Sequence, residues 1–314
     1  MSKKISLSVV ISAFNEEAKI EDCLKSVKWA REIIFIDNSS TDKTVEIAKK
    51  YTSKIFVVKN NLMLNVNKNF GFTKATQDWI LSLDADEQVT PELEEEIEEK
   101  IRNSKFEIRN SVDGYYIPRK NIIFGKWIEH AGWYPDWQLR LFKRGKGKFE
   151  EQHVHEMIKI NTKAGYLNSN ILHYNYQTII QFIMKTANIY APNEADQLIK
   201  NGYKFNWRDA IRFPVKEFMS RFFAREGYRD GFHGLMLSLL MSFYHLVIVA
   251  NIWEKKGLEK FDNENIAAEL EKEVNKSYKD MSFWITNEKI KKISNPIKKI
   301  FYKIHRKISN QNKR

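Results

Sequence analysis

Residues 79–87, Trp79-Ile80-Leu81-Ser82-Leu83-Asp84-Ala85-Asp86-Glu87, decide how this chain is read. An apolar run that stops in acidic residues reads as a buried strand ending at a charged rim. Residues two apart on an extended chain point the same way, so Asp84 and Asp86 are expected to face one ligand. Two like charges that close together are costly without a cation. Paired carboxylates at a strand end suit a hard divalent ion that also binds substrate phosphates. Asp-Ala-Asp alone does not separate that reading from an acidic loop.

The residues before it strengthen the metal reading. Ser6 to Ala13 is apolar and β-branched. Glu16 to Ala30 has helical spacing at Ile20, Leu24 and Val27. Glu32 to Asp37 is a second strand ending in an acid, and Thr41 to Tyr51 a helix. Lys54 to Val58 and Asp78 to Leu83 read as further strands, with a helix over Asn65 to Thr76 between them. Thr90 is placed to cap the next helix, with Pro91 in its first turn. Strands alternating with helices imply an α/β fold with a mostly parallel sheet covered on both faces. Ligands on such sheets bind outside the carboxyl ends of the strands. Asn15-Glu16, Asp37-Asn38 and Asp84-Asp86 stand at three such ends. No GxGxxG or GxxxxGK[ST] occurs, which removes the main support for dinucleotide-binding and P-loop readings.

Composition sets wider bounds. The 314 residues are 43% hydrophobic and 13% aromatic, enough for one large domain or a domain with an appendage. The single cysteine, Cys23, forms no internal disulfide and falls in a helical pattern, which fits a reducing compartment and a small core residue. The start, MSKKISLSVVISAF, imitates a signal peptide, but Asn15 to Glu17 end the apolar stretch early and no small-residue cleavage site follows. A first buried strand is the expectation. The net charge of +12 suits nucleic acid, an anionic membrane or a phosphorylated substrate. Acids crowd between Asp84 and Glu99, whereas the basic excess lies after residue 200.

From Asp113 the texture changes. Gly114 to Arg119 and Asp136 to Lys143 look like strands, joined through a loop carrying Phe124, Trp127, Trp133 and Tyr134. Those aromatics either stack on sugar rings or fill space between sheet and helices.

The stretches SVVISAFNEE, IIFIDNSSTDKT, NKNFGFTKATQDWILSLDADE and QLRLFKRGKGKF…HVHE resemble family-2 glycosyltransferases of the GT-A fold, in the family's order and over roughly the first half of the chain. The later stretch YRDGFHGLMLSLLMSFYHLVIVANIWEKKG resembles the branch that builds lipopolysaccharide inner core, similar to β-glucosyltransferases. The resemblance implies that Ala13, Asn15 and Glu16 line the nucleotide pocket and that Asp37 contacts base or ribose. It puts Asp84 near ribose and sugar and Asp86 on the cation, Mn²⁺ or Mg²⁺. Lys68 stands where the family often has arginine, near the diphosphate; lysine keeps the charge but loses the bidentate fork. Gln77 replaces a glycine common before the fourth strand.

Family-2 members invert the anomeric centre. The cation neutralises charge on the leaving diphosphate, and a carboxylate on the opposite side accepts the acceptor's proton. Glu156 stands where the family usually places that acid, and Asp136 is the second choice. His153 and His155 are candidates to bind the cation or orient Glu156. Arg140 and Arg144 are candidates to hold diphosphate or an acidic acceptor.

The C-terminal third is basic and apolar. Ile211, Val215, Phe218, Met219 and Phe222 share a helical stripe, accompanied by Arg208, Arg212, Lys216, Arg221 and Arg225. Such a helix lies in an anionic interface or packs on the catalytic domain. Phe232 to Trp253 has no charged residue and is long enough to span a bilayer. His233, Gly234, Ser238, Ser242, His245 and Asn251 weaken a span, and a helix half-buried against protein or lipid is expected. Ile290, Ile293, Ile297, Ile300, Ile304 and Ile308 recur along a tail without acids after Glu288, and Pro296 kinks that helix or marks its start. The alternative for the tail is a disordered basic segment. Nucleic acid loses support because no stacking platform or recognition motif accompanies the basic residues.

The expectation is a GT-A catalytic domain over 1–205 and a helical membrane-associating region over 206–314. The chain would be a cytoplasmic enzyme, peripheral on the inner face of the cytoplasmic membrane. It would move a hexose from a UDP-linked nucleotide-sugar donor to a lipid-linked saccharide acceptor. A non-catalytic protein that binds nucleotide sugar or membrane, and a nucleotidyltransferase, are the alternatives.

Overall fold

A computed structural model describes residues 5–60, 64–104, 112–151, 156–258, 265–291 and 293–302. His153, His155, Ile304 and Ile308 lie outside them. The described chain divides into two compact units, 1–129 with 133–177, and 130–132 with 178–314.

In the first unit, strands β1 (Leu7–Ala13), β2 (Glu32–Asp37), β3 (Ile55–Val57) and β4 (Trp79–Asp84) alternate with helices α1 (Ile20–Lys25), α2 (Thr44–Ala48) and α3 (Leu64–Lys74). These four strands run parallel in the order β3-β2-β1-β4. Next come β5 (Glu87–Val89), α4 (Pro91–Asn103), β6 (Gly114–Ile123), β7 (Lys126–Trp127), β8 (Asp136–Lys143), β9 (Ala164–Tyr166) and β10 (Ile171–His173). β8 pairs antiparallel with both β4 and β6, and the sheet continues through β10 to β5. The sheet is therefore parallel in its first half and mixed in its second.

Alternation sorts the core. Leu7, Val9, Ile11, Leu81 and Leu83 face α1 and α4, while Val10, Ile34, Ile36 and Ile80 face α3, Phe142 and Phe149. Both faces are covered, as near-continuous apolar strands require. Cys23 is fully buried on the α1 side. The Thr90 hydroxyl accepts the Leu93 N–H at 3.2 Å, capping α4.

α1 and α2 are shorter than their apolar spacing suggests, and both lose their first turn to one loop–loop contact. The Asn15 side-chain oxygen accepts the Thr41 N–H at 2.8 Å. Glu17 donates its N–H to Asp42 at 3.1 Å, and its carboxylate accepts the Lys43 N–H at 2.9 Å. Asn15 adopts φ 52, a conformation that asparagine tolerates better than most residues.

Gly71 sets how near α3 comes to the sheet. A Cβ there would lie 2.6 Å from Val10 Cγ1 and 2.9 Å from Ile36 Cγ1. That approach brings the polar residues Asn67, Lys68 and Asn69 down to the loops at the strand ends.

The second unit holds α5 (Ile179–Lys185), α6 (Ala191–Lys200), α7 (Asp209–Phe218), α8 (Phe232–Lys255) and α9 (Ile266–Lys291). It begins ahead of the boundary drawn at 205 because α6 packs Ala191 and Ala195 against Ile248 and Ile252 of α8. Within this unit α7 meets α9: Arg208 Nη2 lies 2.6 Å from Glu269, and Arg212 is paired with Glu273. Gly234, one of the residues that weakened a membrane span, is where α8 passes the Gly227 carbonyl. Pro296 begins a helical turn over 296–302, with the Asn295 side chain accepting the Ile297 and Lys298 N–H groups at 3.0 and 3.1 Å.

Gly71→Val is expected to lower unfolding free energy by about 1–3 kcal/mol through overpacking. Urea unfolding checks this, and an unchanged midpoint and slope would contradict the close approach.

Candidate active site

The parallel strands bring the expected residues to one edge. Ala13 is paired with Asp37, and Ser12 with Asp84. Asp37 is buried and accepts the Ser40 N–H at 3.1 Å. Beside it, the Asn38 amide donates to the Ala13 carbonyl at 2.7 Å and to Ser12 Oγ at 3.0 Å, and Asn67 of α3 donates to Asn38 Oδ1 at 2.5 Å. Glu16 donates its N–H to Thr44 Oγ1 at 2.8 Å. The result is a polar floor of loops after β1 and β2, fastened by α3.

Asp84 and Asp86 do not share one extended strand. β4 stops at Asp84, Ala85–Asp86 form a turn, and β5 starts at Glu87. Only that turn links β4 to β5, although β8, β6 and β10 lie between them in the sheet order. The second half of the sheet therefore curls around the acidic segment, and its polar side chains close on it.

Asp84 sits between two cations. Lys68 Nζ lies 2.5 Å from Oδ1, and Arg140 Nη2 lies 2.7 Å from Oδ2. Burial pushes the Asp84 carboxyl up, but Arg140 and then Lys68 outweigh it and hold it well below the usual carboxylate range. Arg140 is a bulge residue: Leu141 pairs with Tyr115 and Leu139 with Tyr116, which leaves Arg140 as the extra residue of β8. Its Nη2 also donates to Glu87 Oε1 at 2.7 Å. Its buried Nε–H finds no acceptor among the described residues.

Glu87 is not at a rim. It is fully buried and accepts from Arg140, from Arg119 Nη1 at 3.0 Å and from the Asp84 N–H at 2.9 Å. Arg119 continues to Asp136, 2.9 Å from Nε and 2.5 Å from Nη2. Lys68, Asp84, Arg140, Glu87, Arg119 and Asp136 thus form a ladder of alternating charge. Asp136 also accepts from Gln138 at 2.8 Å and Asn121 at 3.3 Å. Burial raises its carboxyl, but Arg119 and those amides bring it below the ordinary value. Its four donors make it a structural anion and a poor proton acceptor, unlike the catalytic role held open for it. Arg140, expected at the diphosphate, spends Nη2 on Asp84 and Glu87.

Asp86 has different neighbours. His173 Nε2 is 3.6 Å from Oδ1 and Lys19 Nζ is 3.7 Å from Oδ2. Burial pushes this carboxyl up, and His173 with help from Lys19 brings it down overall. His173 pairs with Glu87 on one side and Asn121 on the other. The Asn121 amide nitrogen donates to the Trp133 carbonyl at 2.8 Å and to Asp136, so its oxygen faces His173 Nδ1 at 2.7 Å. Nδ1 must carry a proton to donate there, so Nε2 faces Asp86, with an N–H in the protonated ring and a lone pair in the neutral one.

No group of three or more His, Cys, Asp or Glu poised to hold a metal occurs among the described residues. The donor chemistry nevertheless fits a hard cation completed by substrate phosphates, which needs only one or two protein carboxylates. Asp86, with His173 Nε2 beside it, meets that need. Glu156 Oε2 accepts the Glu151 N–H at 2.7 Å.

A sheet whose parallel strand ends carry a polar floor and an acidic turn is the frame of a glycosyltransferase, and comparison with known proteins agrees. Residues 8–163 match the model of the family described as glycosyl transferase family 2. An uncharacterized glycosyltransferase of Rickettsia typhi is 31% identical over 80% of this chain and 87% of its own length. The lipopolysaccharide core biosynthesis glycosyltransferase LpsC of Rhizobium meliloti is 26% identical over 84% of this chain and 97% of its own. Among solved structures, residues 1–349 of S. aureus TarS with UDP align over 82% of this chain and 93% of that one, at 14% identity and a TM-score of 0.43. The chain belongs to glycosyl transferase family 2.

Arg140→Met is expected to cost about 3–5 kcal/mol at pH 7, because it leaves Asp84 and Glu87 without a shared cation. The pH dependence carries a second signature. The folded-state Asp84 pKa lies below its unfolded value of about 3.9, so its stabilisation is full above that value and is lost as pH falls through the folded one. In Arg140→Met less of that depression remains, so the acid limb should be shallower than in wild type. Urea melts from pH 3 to 8 read both, and superimposable limbs would contradict the ladder.

Proposed function

We propose that the protein is a metal-dependent, inverting hexosyltransferase that takes a UDP-linked sugar and delivers it to a lipid-borne saccharide such as lipopolysaccharide core. The observation that carries the metal reading is the Asp86–His173 pair, with its tautomer set by Asn121. When bound there, a Mn²⁺ or Mg²⁺ ion would neutralise charge growing on the departing diphosphate. Asp84, kept ionised by Lys68 and Arg140, accepts hydrogen bonds from ribose or sugar hydroxyls. Lys68 and the Arg140 Nε–H offer positive charge to donor phosphates. Ala13, Asn15, Glu16 and Asp37 frame the nucleotide base. Glu156 accepts the proton of the attacking hydroxyl, a step of general-base type. LpsC, by its name a lipopolysaccharide core enzyme, supports the acceptor class.

The lipid-borne acceptor fits the second unit. α8 has a mean hydropathy of 2.0 in its most apolar window, of which 28% is buried. Gly234, Leu237, Ile248 and Ile252 face the protein, while Phe232, Leu239, Phe243, Leu246 and Trp253 are exposed along the opposite stripe. The proposed arrangement has one side of α8 packed on protein and the exposed apolar stripe turned to lipid. Exposed Ile297, Ile300 and Phe301 stand among the lysines of the basic end, each cation worth about 1 kcal/mol at an anionic leaflet. The proposed location is the cytoplasmic side of the inner membrane, as a peripheral protein, and these exposed apolar and basic residues support it.

Asp86→Ala should abolish turnover and Mn²⁺-dependent UDP binding, and His173→Ala should weaken that binding without unfolding the protein. Calorimetric titration with and without Mn²⁺ reads both, and wild-type affinity in Asp86→Ala would end the metal assignment. Glu156→Gln should keep donor affinity and lose about 10²–10⁴-fold in transfer rate. Phe243→Asp with Leu246→Asp should reduce sedimentation with anionic liposomes and spare transfer to a soluble acceptor fragment. Undiminished sedimentation would count against the α8 stripe.

A further inference from the structure

Three consecutive residues of α3 each fasten a different loop. Asn67 holds Asn38 and the Lys59 carbonyl, the latter at 3.0 Å. Lys68 holds Asp84 and lies 5.5 Å from the centre of the Phe149 ring. Asn69 reaches the third loop. Its amide nitrogen donates to the Phe149 carbonyl at 2.9 Å and to Glu151 Oε1 at 2.7 Å, and its oxygen accepts the Phe149 N–H at 2.9 Å. Those acceptors and that donor fix which way the amide points. One side chain thereby satisfies both backbone groups of Phe149, as a neighbouring strand would.

The loop so held leads to Glu156. Glu151 adopts φ 62, in the left-handed region where non-glycine residues are uncommon. That conformation is held from two sides: Asn69 binds its carboxylate, and its N–H donates to Glu156 Oε2 at 2.7 Å. Asn69, Glu151 and Glu156 are a chain of hydrogen bonds that starts one residue from the lysine on Asp84. α3 therefore carries the reference point for both the donor acid and the segment bearing the base.

We propose that Asn69 is a positioning residue for the transfer step: it fixes Glu156 relative to Asp84 without touching substrate. This rests on Glu156 being the base. A catalytic group displaced by about 1 Å loses on the order of 10²-fold in rate, so the effect should fall on kcat.

The test is a double-mutant cycle on the full chain, with Asn69→Ala, Glu156→Gln and the pair, using UDP-sugar, Mn²⁺ and a soluble saccharide acceptor. Asn69→Ala should lower kcat by about 10²-fold, with donor KM and UDP affinity within about threefold of wild type. The double variant should transfer no more slowly than Glu156→Gln alone, because Asn69 acts through that carboxylate. Asn69→Ser, a milder truncation, and the thermal midpoint of each variant separate misfolding from misplacement. A wild-type kcat in Asn69→Ala, or losses that multiply in the double variant, would overturn the proposal. Wild-type kcat in Glu156→Gln would instead remove the base itself, a result distinguishable from failure of Asn69 alone.

Discussion

Asp84 has to stay charged in a place that penalises charge, and the catalytic unit is organised around that constraint. Lys68 and Arg140 supply the compensation. Arg140 in turn needs Glu87, Glu87 needs Arg119, and Arg119 needs Asp136. Each ion in the series is stabilised only while the next is in place. Removing one leaves a buried neighbour uncompensated, which costs far more than the pair contributes. The sheet curl is the structural counterpart: β8, β6 and β10 bring their polar residues onto the turn that follows β4.

This division of labour separates two acids that look equivalent in sequence. Asp84 is held by a fixed protein cation on each oxygen, at 2.5 and 2.7 Å, whereas Asp86 meets a histidine Nε2 and a lysine at 3.6 and 3.7 Å. Those longer distances leave Asp86 able to take a ligand. α3 works as a ruler along the same edge, because Gly71 lets its polar residues reach the loops that carry base, phosphate and acceptor chemistry.

Much of the fold was legible in the sequence, for reasons that can be named. β2 and β8 were read at their observed bounds because apolar alternation ends abruptly in polar residues at both. That Asp37 and Asp84 close strands and that Lys68 rides on a helix was readable from local pattern. His173, Asn121 and Arg119 were not, since their places depend on β10 running beside β6, a register no local pattern reveals. A polar residue closing the short run Ile171-Leu172 was the only available signal for His173. The contact of Arg140 with Asp84 and Glu87 was not readable, because it depends on a bulge in β8. Glu87 looked solvated because nothing local shows the two guanidiniums that bury it. The first turns of α1 and α2 disappeared for a tertiary reason: their backbone groups bind each other's loops.

The most direct test of the account is anomalous diffraction from crystals grown with Mn²⁺ and UDP. The account predicts one manganese peak about 2.0–2.3 Å from both an Asp86 carboxylate oxygen and His173 Nε2, with diphosphate oxygens completing its shell. Fully occupied UDP with manganese bound away from both side chains would contradict it.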